Sequence, residues 1–301
     1  FNILPTMIQD KIKGVGVALI TPFNNYKVDY DSLGRMVDYV IAGGVDYIVA
    51  LGSTAETATL SLKERDEVLR FIINRTNGRV PIVAGMGSNN TADLVEQLHS
   101  FNLDGVVAIL SVVPYYNKPS QEGIYRHFMA VADASPVPVI IYNVPGRTGL
   151  NMTAATTLRL AHATPKIVAI KEACGNIEQM QAILDGRPED FLVLSGDDGI
   201  TVELVKRGGD GVISVAANAF PKRFCGCVHN AMKGNIALAE SEIAELTPAI
   251  DLLFKEGNPT GVKAMTAAMG ITRSEVRLPL VEGTENLAAD IKSAIARYEL
   301  K

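Results

Sequence analysis

Short apolar runs alternate with longer stretches of helical period along most of this chain, and no other feature limits its fold so strongly. The runs cover residues 14–20, 47–51, 81–84, 106–110, 138–142, 167–171, 191–194 and 211–215. Each is brief, aliphatic or β-branched and apolar throughout, the pattern of a strand buried on both faces. Between them lie amphipathic stretches near 30–42, 61–77, 91–102, 121–133, 153–163, 176–185 and 199–207. Strand-then-helix repetition gives parallel strands joined by crossover helices. The joints repeat as well, as Gly43-Gly44-Val45-Asp46, Asn102-Leu103-Asp104-Gly105 and Gly208-Gly209-Asp210-Gly211. Glycine stands where a helix ends or a strand opens, and where the backbone turns left-handed or is crowded.

Eight such units predict an α/β protein of the (β/α)8 TIM-barrel class. The competing architecture is an open doubly wound sheet, which usually carries a glycine-rich dinucleotide loop after its first strand. Here that strand runs into Thr21-Pro22-Phe23-Asn24, which has no such loop. The barrel is assigned to residues 1–234 and a helical C-terminal extension to residues 235–301. Within the extension, residues 236–254, 258–270 and 284–300 have helical period, interrupted at Gly257-Asn258-Pro259 and at Pro279. Its expected uses are packing on the barrel and oligomer contacts. Met7 reads as the natural start, with residues 1–6 an addition ahead of it.

Composition narrows the function classes. A net charge of −5 with dispersed Lys and Arg offers no basic stripe for nucleic acid or an anionic membrane. The longest strongly apolar run, 106–113, is far short of a membrane span. Three cysteines imply no disulfide framework. Cys225 and Cys227 are too close for the usual zinc pair, and none of the four histidines has a ligand spacing, so no metal site is expected. A reducing cytoplasm fits best.

The reactive groups of such a barrel lie where strands end. The sixth run stops at Lys171, in Ile167-Val168-Ala169-Ile170-Lys171-Glu172. A lysine at the rim either snorkels to solvent, pairs with Glu172, or serves as an amine nucleophile that burial keeps uncharged. Other strand ends bring Gly52-Ser53-Thr54-Ala55-Glu56, Pro114-Tyr115-Tyr116-Asn117, Tyr142-Asn143-Val144-Pro145-Gly146-Arg147 and Ser195-Gly196-Asp197-Asp198. An amine, phenols, hydroxyls and one guanidinium are the parts of catalysis through an imine. The amine attacks a carbonyl carbon, a phenol shuttles protons, and hydroxyls, backbone N–H groups and arginine hold carboxylates. Each part also has a plainer use: Ser53 and Thr54 as helix caps, the tyrosines as packing or interface aromatics, and Arg147 in a surface ion pair.

At these residues the chain resembles the dihydrodipicolinate synthase and N-acetylneuraminate lyase superfamily of class I aldolases, from Met7 to the C-terminus. The run from Tyr142 to Gly149 resembles the synthase branch; the sialic-acid and sugar-acid lyases lack its arginine. The resemblance implies a covalent imine between Lys171 and pyruvate, no other cofactor, and addition to aspartate semialdehyde to give 4-hydroxy-tetrahydrodipicolinate, which feeds diaminopimelate and lysine synthesis. By position it makes Tyr142 the proton donor and acceptor, with Ser53 and Tyr116 as its relay. Tyr115 or Tyr116 is expected to cross a tight dimer interface into a neighbouring subunit. Thr54, Gly196 and the Ile213 backbone match pyruvate contacts, and Arg147 matches the grip on the semialdehyde carboxylate. A homo-oligomer, a tetramer built as a dimer of dimers, is expected.

Three departures stand out. Ser53 replaces the usual relay threonine and keeps the hydroxyl but not the methyl. Ala55 replaces a glycine, which is harmless at negative φ and costly at positive φ. Some relatives bind lysine at the dimer interface through two histidines; the matching positions are Leu62 and Arg65, beside Asn89, Asp93 and Tyr115, so lysine feedback is expected to be weak or absent. The rival functions are a sister lyase for N-acetylneuraminate or a 2-keto-3-deoxy sugar acid, which Ser53 favours and Arg147 opposes, and a non-catalytic barrel scaffold.

Overall fold

The computed structural model describes residues 7–298; residues 1–6, and residues 299–300 of the last expected helix, lie outside the described residues. Eight strands form a closed parallel barrel: β1 (Gly14–Ala18), β2 (Tyr47–Ala50), β3 (Ile82–Gly85), β4 (Ala108–Val112), β5 (Val139–Asn143), β6 (Ile167–Glu172), β7 (Leu192–Ser195) and β8 (Gly211–Ser214). Closure rests on β1, which pairs on one side with β2 (Gly16 opposite Tyr47) and on the other with β8 (Gly16 opposite Ile213). An open sheet would leave two edges, so the doubly wound alternative is overturned.

The chain's apolar pattern follows from two separate cores. Tyr47, Val49, Val83, Leu110, Ile140, Leu194 and Ile213 belong to a cluster that fills the barrel lumen, with Ile12 packed among them. The alternate residues Ile48, Ala84, Ile109, Ile141, Ile170 and Val212 pack outward against the helices. Both faces are therefore dry, and period-2 alternation disappears from the sequence. Tyr47 is fully buried, and a Cβ added at Gly16 would lie 2.2 Å from its ring, so this large side chain fits only because its neighbour on β1 has none.

The helices between strands are α1 (Tyr30–Ala42), α2 (Leu62–Thr76), α3 (Thr91–Ser100), α4 (Gln121–Ala134), α5 (Ala154–Ala163), α6 (Ile177–Gly186) and α7 (Thr201–Lys206), matching the seven expected stretches. Most start on an N-cap side chain: Asp29, Ser61, Asn90, Ser120, Thr153 and Asn176 each accept a backbone N–H of the first turn. The closing helix α8 (Pro221–Met232) escaped the pattern reading. It combines proline, glycine and two cysteines, which are weak helix formers, yet Pro221 sits in the first turn, where its missing N–H costs nothing, and Phe224, Cys225, Cys227 and Val228 are buried. A two-strand hairpin, Phe23–Asn24 with Lys27–Val28, and short helices at Ile8–Lys11 and Pro145–Thr148 were likewise too brief to announce themselves. The extension consists of α9 (Ile236–Phe254), α10 (Thr260–Ala268) and α11 (Glu285–Tyr298). Among the described residues, no helix is long and apolar enough to cross a membrane.

The joint glycines behave as their positions require. Gly44, Gly105 and Gly208 have φ of 99°, 84° and 106°. Gly211, at φ 144°, is the tightest: a Cβ there would lie 2.0 Å from the Gly14 carbonyl oxygen, inside the β1–β8 seam. Gly211→Ala is expected to cost about 3 kcal/mol through backbone strain and steric clash. Urea unfolding followed by circular dichroism measures this, and a midpoint equal to wild type would remove the seam from the account.

Candidate active site

Tyr142 and Lys171 are register partners on β5 and β6. Both side chains are nearly closed to solvent, at 7% and 5% exposure. The Lys171 Nζ stands over the Tyr142 ring, 4.1 Å from its centroid. Lys171 does not snorkel outward, nor does it pair with Glu172. The Glu172 carboxylate turns to the other face of the strand, where it accepts from Asn143 Nδ2 (2.9 Å), the Cys174 amide (2.9 Å) and Gln179 Nε2 (3.3 Å). Burial there pushes the Glu172 carboxyl above the usual range.

The β2 loop winds through two successive 3₁₀ turns, Ser53–Ala55 and Thr57–Thr59; the first is capped by the Gly52 backbone with no side-chain cap bond. The capping use of Ser53 and Thr54 is therefore not what is found: Ser53 is exposed, and Thr54 is buried. The left-handed residues of the loop are Leu51 and Glu56, at φ 61° and 57°, and not Ala55, so alanine replaces glycine without backbone strain.

The C-terminal extension holds this loop from behind, a role the sequence did not reveal. Asn258 Nδ2 donates to Thr54 Oγ1 at 2.9 Å. Lys263, fully buried on α10, pairs with the buried carboxylate of Glu56, donates to the Glu275 carbonyl at 2.9 Å and lies 4.1 Å from the Phe23 ring centroid. Burial pushes its ammonium down to about 8. The other Glu56 oxygen accepts the Arg277 amide at 3.0 Å. The Arg277 guanidinium in turn binds Glu64 and the Thr59 and Tyr26 carbonyls at 2.6–3.1 Å. Glu64 also completes a capping box with Ser61 at the start of α2. The only sequence clue was a lone charge, Lys263, on an otherwise apolar helix face.

A cavity of about 240 Å³ opens above Tyr142. Ser53, Val144 and Arg147 line it at the strand-end rim, and Leu62, Arg65, Phe101 and Tyr115 line its far side, so part of the expected site and three of the expected regulatory positions share one space. Lys171 is not among the lining residues; its Nζ lies against the Tyr142 ring, which is. Arg147 donates to the Asn258 carbonyl at 3.1 Å and makes no ion pair with a carboxylate among the described residues, so the surface-pair use fails. Arg65 donates to the Thr57 and Leu60 carbonyls at 3.0 and 3.2 Å. Burial lowers its pKa, against the opposing charges of Tyr115 and Asp93.

The remaining sequence-derived positions are not among the residues lining this cavity. Asn89 Nδ2 donates to the Tyr115 carbonyl at 3.0 Å, and Asp93 accepts from Gln97 at 2.8 Å. Gly196 packs so closely on Ala173 that a Cβ would lie 2.7 Å from the alanine's own. Ile213 is in the lumen. Tyr116 is 88% exposed at φ 74° and is not among the residues lining the cavity. Among the described residues no cluster of His, Cys, Asp and Glu has the makings of a metal site.

The Arg277 clamp has a pH signature. Its hydrogen bond to Glu64 holds that carboxyl down to about 2, from a usual 4.5. A folded-state pKa below the unfolded value gives stability that is complete above the unfolded value and is lost as pH falls from 4.5 toward 2. Arg277→Leu is expected to flatten this acid limb in urea unfolding measured between those pH values; an unchanged limb would contradict it.

The sequence profile of the Dihydrodipicolinate synthetase family matches residues 11–297. A relative from Phocaeicola vulgatus, named 4-hydroxy-tetrahydrodipicolinate synthase, is 54% identical over 91% of this chain and 93% of its own length. A chloride-inhibited dihydrodipicolinate synthase from Acinetobacter baumannii, solved in complex with pyruvate, superposes with a TM-score of 0.93 at 38% identity, covering 96% of this chain and 100% of that one. A dihydrodipicolinate synthase from Cyanidioschyzon merolae, solved with lysine bound, gives 0.92 at 36% identity over 96% and 99% of the two chains. Matched along nearly its whole length in sequence and in fold, the chain belongs to the Dihydrodipicolinate synthetase family.

Proposed function

We propose that this enzyme condenses pyruvate with L-aspartate 4-semialdehyde to 4-hydroxy-tetrahydrodipicolinate through an imine on Lys171. The observation that carries the reading is the register pair of a lumen-facing amine and phenol at the mouth of the barrel. The family relation adds the reaction, and a relative has been solved with pyruvate.

The Lys171 amine adds to the pyruvate ketone, and loss of water leaves the imine. Loss of a methyl proton gives the enamine, whose carbon adds to the aldehyde. The amine of the semialdehyde then attacks the imine carbon, closing the ring and releasing Lys171. Each step moves a proton near the adduct nitrogen, where the Tyr142 phenol acts as donor and acceptor. Ser53, exposed at the rim, and a tyrosine from another subunit extend the relay. Tyr116 suits that role: it is almost fully exposed, is held at a left-handed φ and does not line the cavity of its own chain. The reading therefore includes a homo-oligomer, a tetramer built as a dimer of dimers. Thr54, Gly196 and the Ile213 backbone hold the pyruvate, and Arg147 holds the semialdehyde carboxylate. No cofactor beyond the imine is invoked, and three free cysteines suit a cytoplasmic setting.

The alternative, a lyase for N-acetylneuraminate or a sugar acid, has Ser53 in its favour and Arg147 against it. Assays with aspartate semialdehyde and with N-acetylneuraminate separate the two. Arg147→Ala is expected to lower condensation about a hundredfold through loss of a charge-assisted carboxylate contact, while still exchanging pyruvate methyl protons for deuterium. Cleavage of N-acetylneuraminate, or full condensation in the variant, would overturn the reading.

The far side of the cavity bears on regulation. Leu62 is 55% exposed and apolar, and Arg65 is cationic, so neither suits a cationic amino acid. L-Lysine is expected to inhibit weakly or not at all in the steady-state assay. Half-inhibition at sub-millimolar lysine would contradict this.

A further inference from the structure

Asn258 touches both candidate carboxylate holders, and nothing in the reaction scheme uses it. Its side-chain Nδ2 donates to Thr54 Oγ1 at 2.9 Å, and its backbone carbonyl accepts from Arg147 at 3.1 Å. It lies between α9 and α10, so a residue of the helical extension reaches the loops that follow β2 and β5. Its side-chain oxygen Oδ1 is buried and has no hydrogen-bond partner among the described residues. An unpaired buried amide oxygen is unfavourable, and an apolar residue of the same shape would avoid that cost. The asparagine is therefore poorly explained as filler, and its amide N–H is the part in use.

A threonine hydroxyl has one proton to donate and two lone pairs to accept with. With one lone pair occupied by Asn258, the Thr54 proton is left to point elsewhere. We propose that Asn258 is a positioning residue: it orients the Thr54 hydroxyl as a donor toward the carboxylate of the bound 2-oxo acid. This rests on the functional reading above, in which Thr54 holds pyruvate, and it deepens that reading by giving the C-terminal extension a part in substrate affinity.

The test uses Asn258→Leu, which keeps the shape and the backbone contact to Arg147 but loses the amide. The pyruvate concentration at half-maximal turnover is expected to rise about tenfold, the scale of one lost hydrogen bond to a charged group. Half-saturation by aspartate semialdehyde and the thermal midpoint are expected to stay within twofold and within a few degrees of wild type. A merely structural asparagine would instead lower the midpoint and shift both substrates together. Asn258→Asp, which offers an acceptor in place of the donor and adds a repelling charge, is expected to raise the pyruvate requirement further. In a Thr54→Val background, Asn258→Leu is expected to change nothing more, because its effect passes through the hydroxyl. An unchanged pyruvate dependence in both Asn258 variants, or full additivity with Thr54→Val, would overturn the proposal. Absence of condensation by the wild-type protein would instead defeat the functional reading, and this proposal with it.

Discussion

A one-residue shift of register between β5 and β6 decides which side chain stands beside Tyr142. Pairing begins with Val139 opposite Ile167, and an unbroken ladder would then place Tyr142 opposite Ile170. Between Val139 and Ile140 the register slips, so that Ile140 faces Ala169 and Tyr142 faces Lys171. The extra residue, Val168, joins Ala169 in the lumen cluster, while Ile167 packs outside. Strict alternation from Ile167 would have turned Lys171 outward into the helical layer. Instead the irregularity turns it into the mouth and sends Glu172 out to the Asn143–Gln179 network. Bulges that re-aim a side chain are common next to active sites, and here one residue converts an awkward structural lysine into an enclosed amine beside a phenol.

Much of the fold was legible because a barrel of this kind is written in repeats. All eight apolar runs became strands, since two-sided burial demands an apolar residue at every position and leaves no competing signal. The joint glycines were legible for a related reason: positive φ at Gly44, Gly105 and Gly208 leaves few other residues admissible. Less legible were elements whose stability comes from tertiary contacts. The closing helix α8 has low intrinsic propensity and is sustained by the burial of Phe224, Val228 and its cysteines. The register slip at Val168 was invisible, because an apolar run reads the same in either register.

The site divided along the same line. Residues at strand ends, such as Lys171, Tyr142, Ser53 and Arg147, could be singled out as candidates because the architecture says where reactive groups emerge. Residues that hold the site from outside the barrel were missed. Asn258 sits in Gly257-Asn258-Pro259, which reads as a helix breaker, and Lys263 looks like a stray charge until its partner Glu56 is seen more than two hundred positions away. A buried pair of this kind is weak evidence of net stability, since desolvation opposes the Coulomb gain. Its clear consequence is geometric: it fixes Glu56, and through it the tight turn that carries Ser53 and Thr54. The extension thereby braces the end of the barrel at which the strands finish.

The account depends on one covalent bond. The most direct measurement is borohydride reduction of the protein in the presence of pyruvate, followed by peptide mass analysis. The account predicts a single reduced adduct on the peptide containing Lys171, absent when that residue is replaced by arginine. No adduct, or an adduct carried by another lysine such as Lys118 or Lys263, would contradict it.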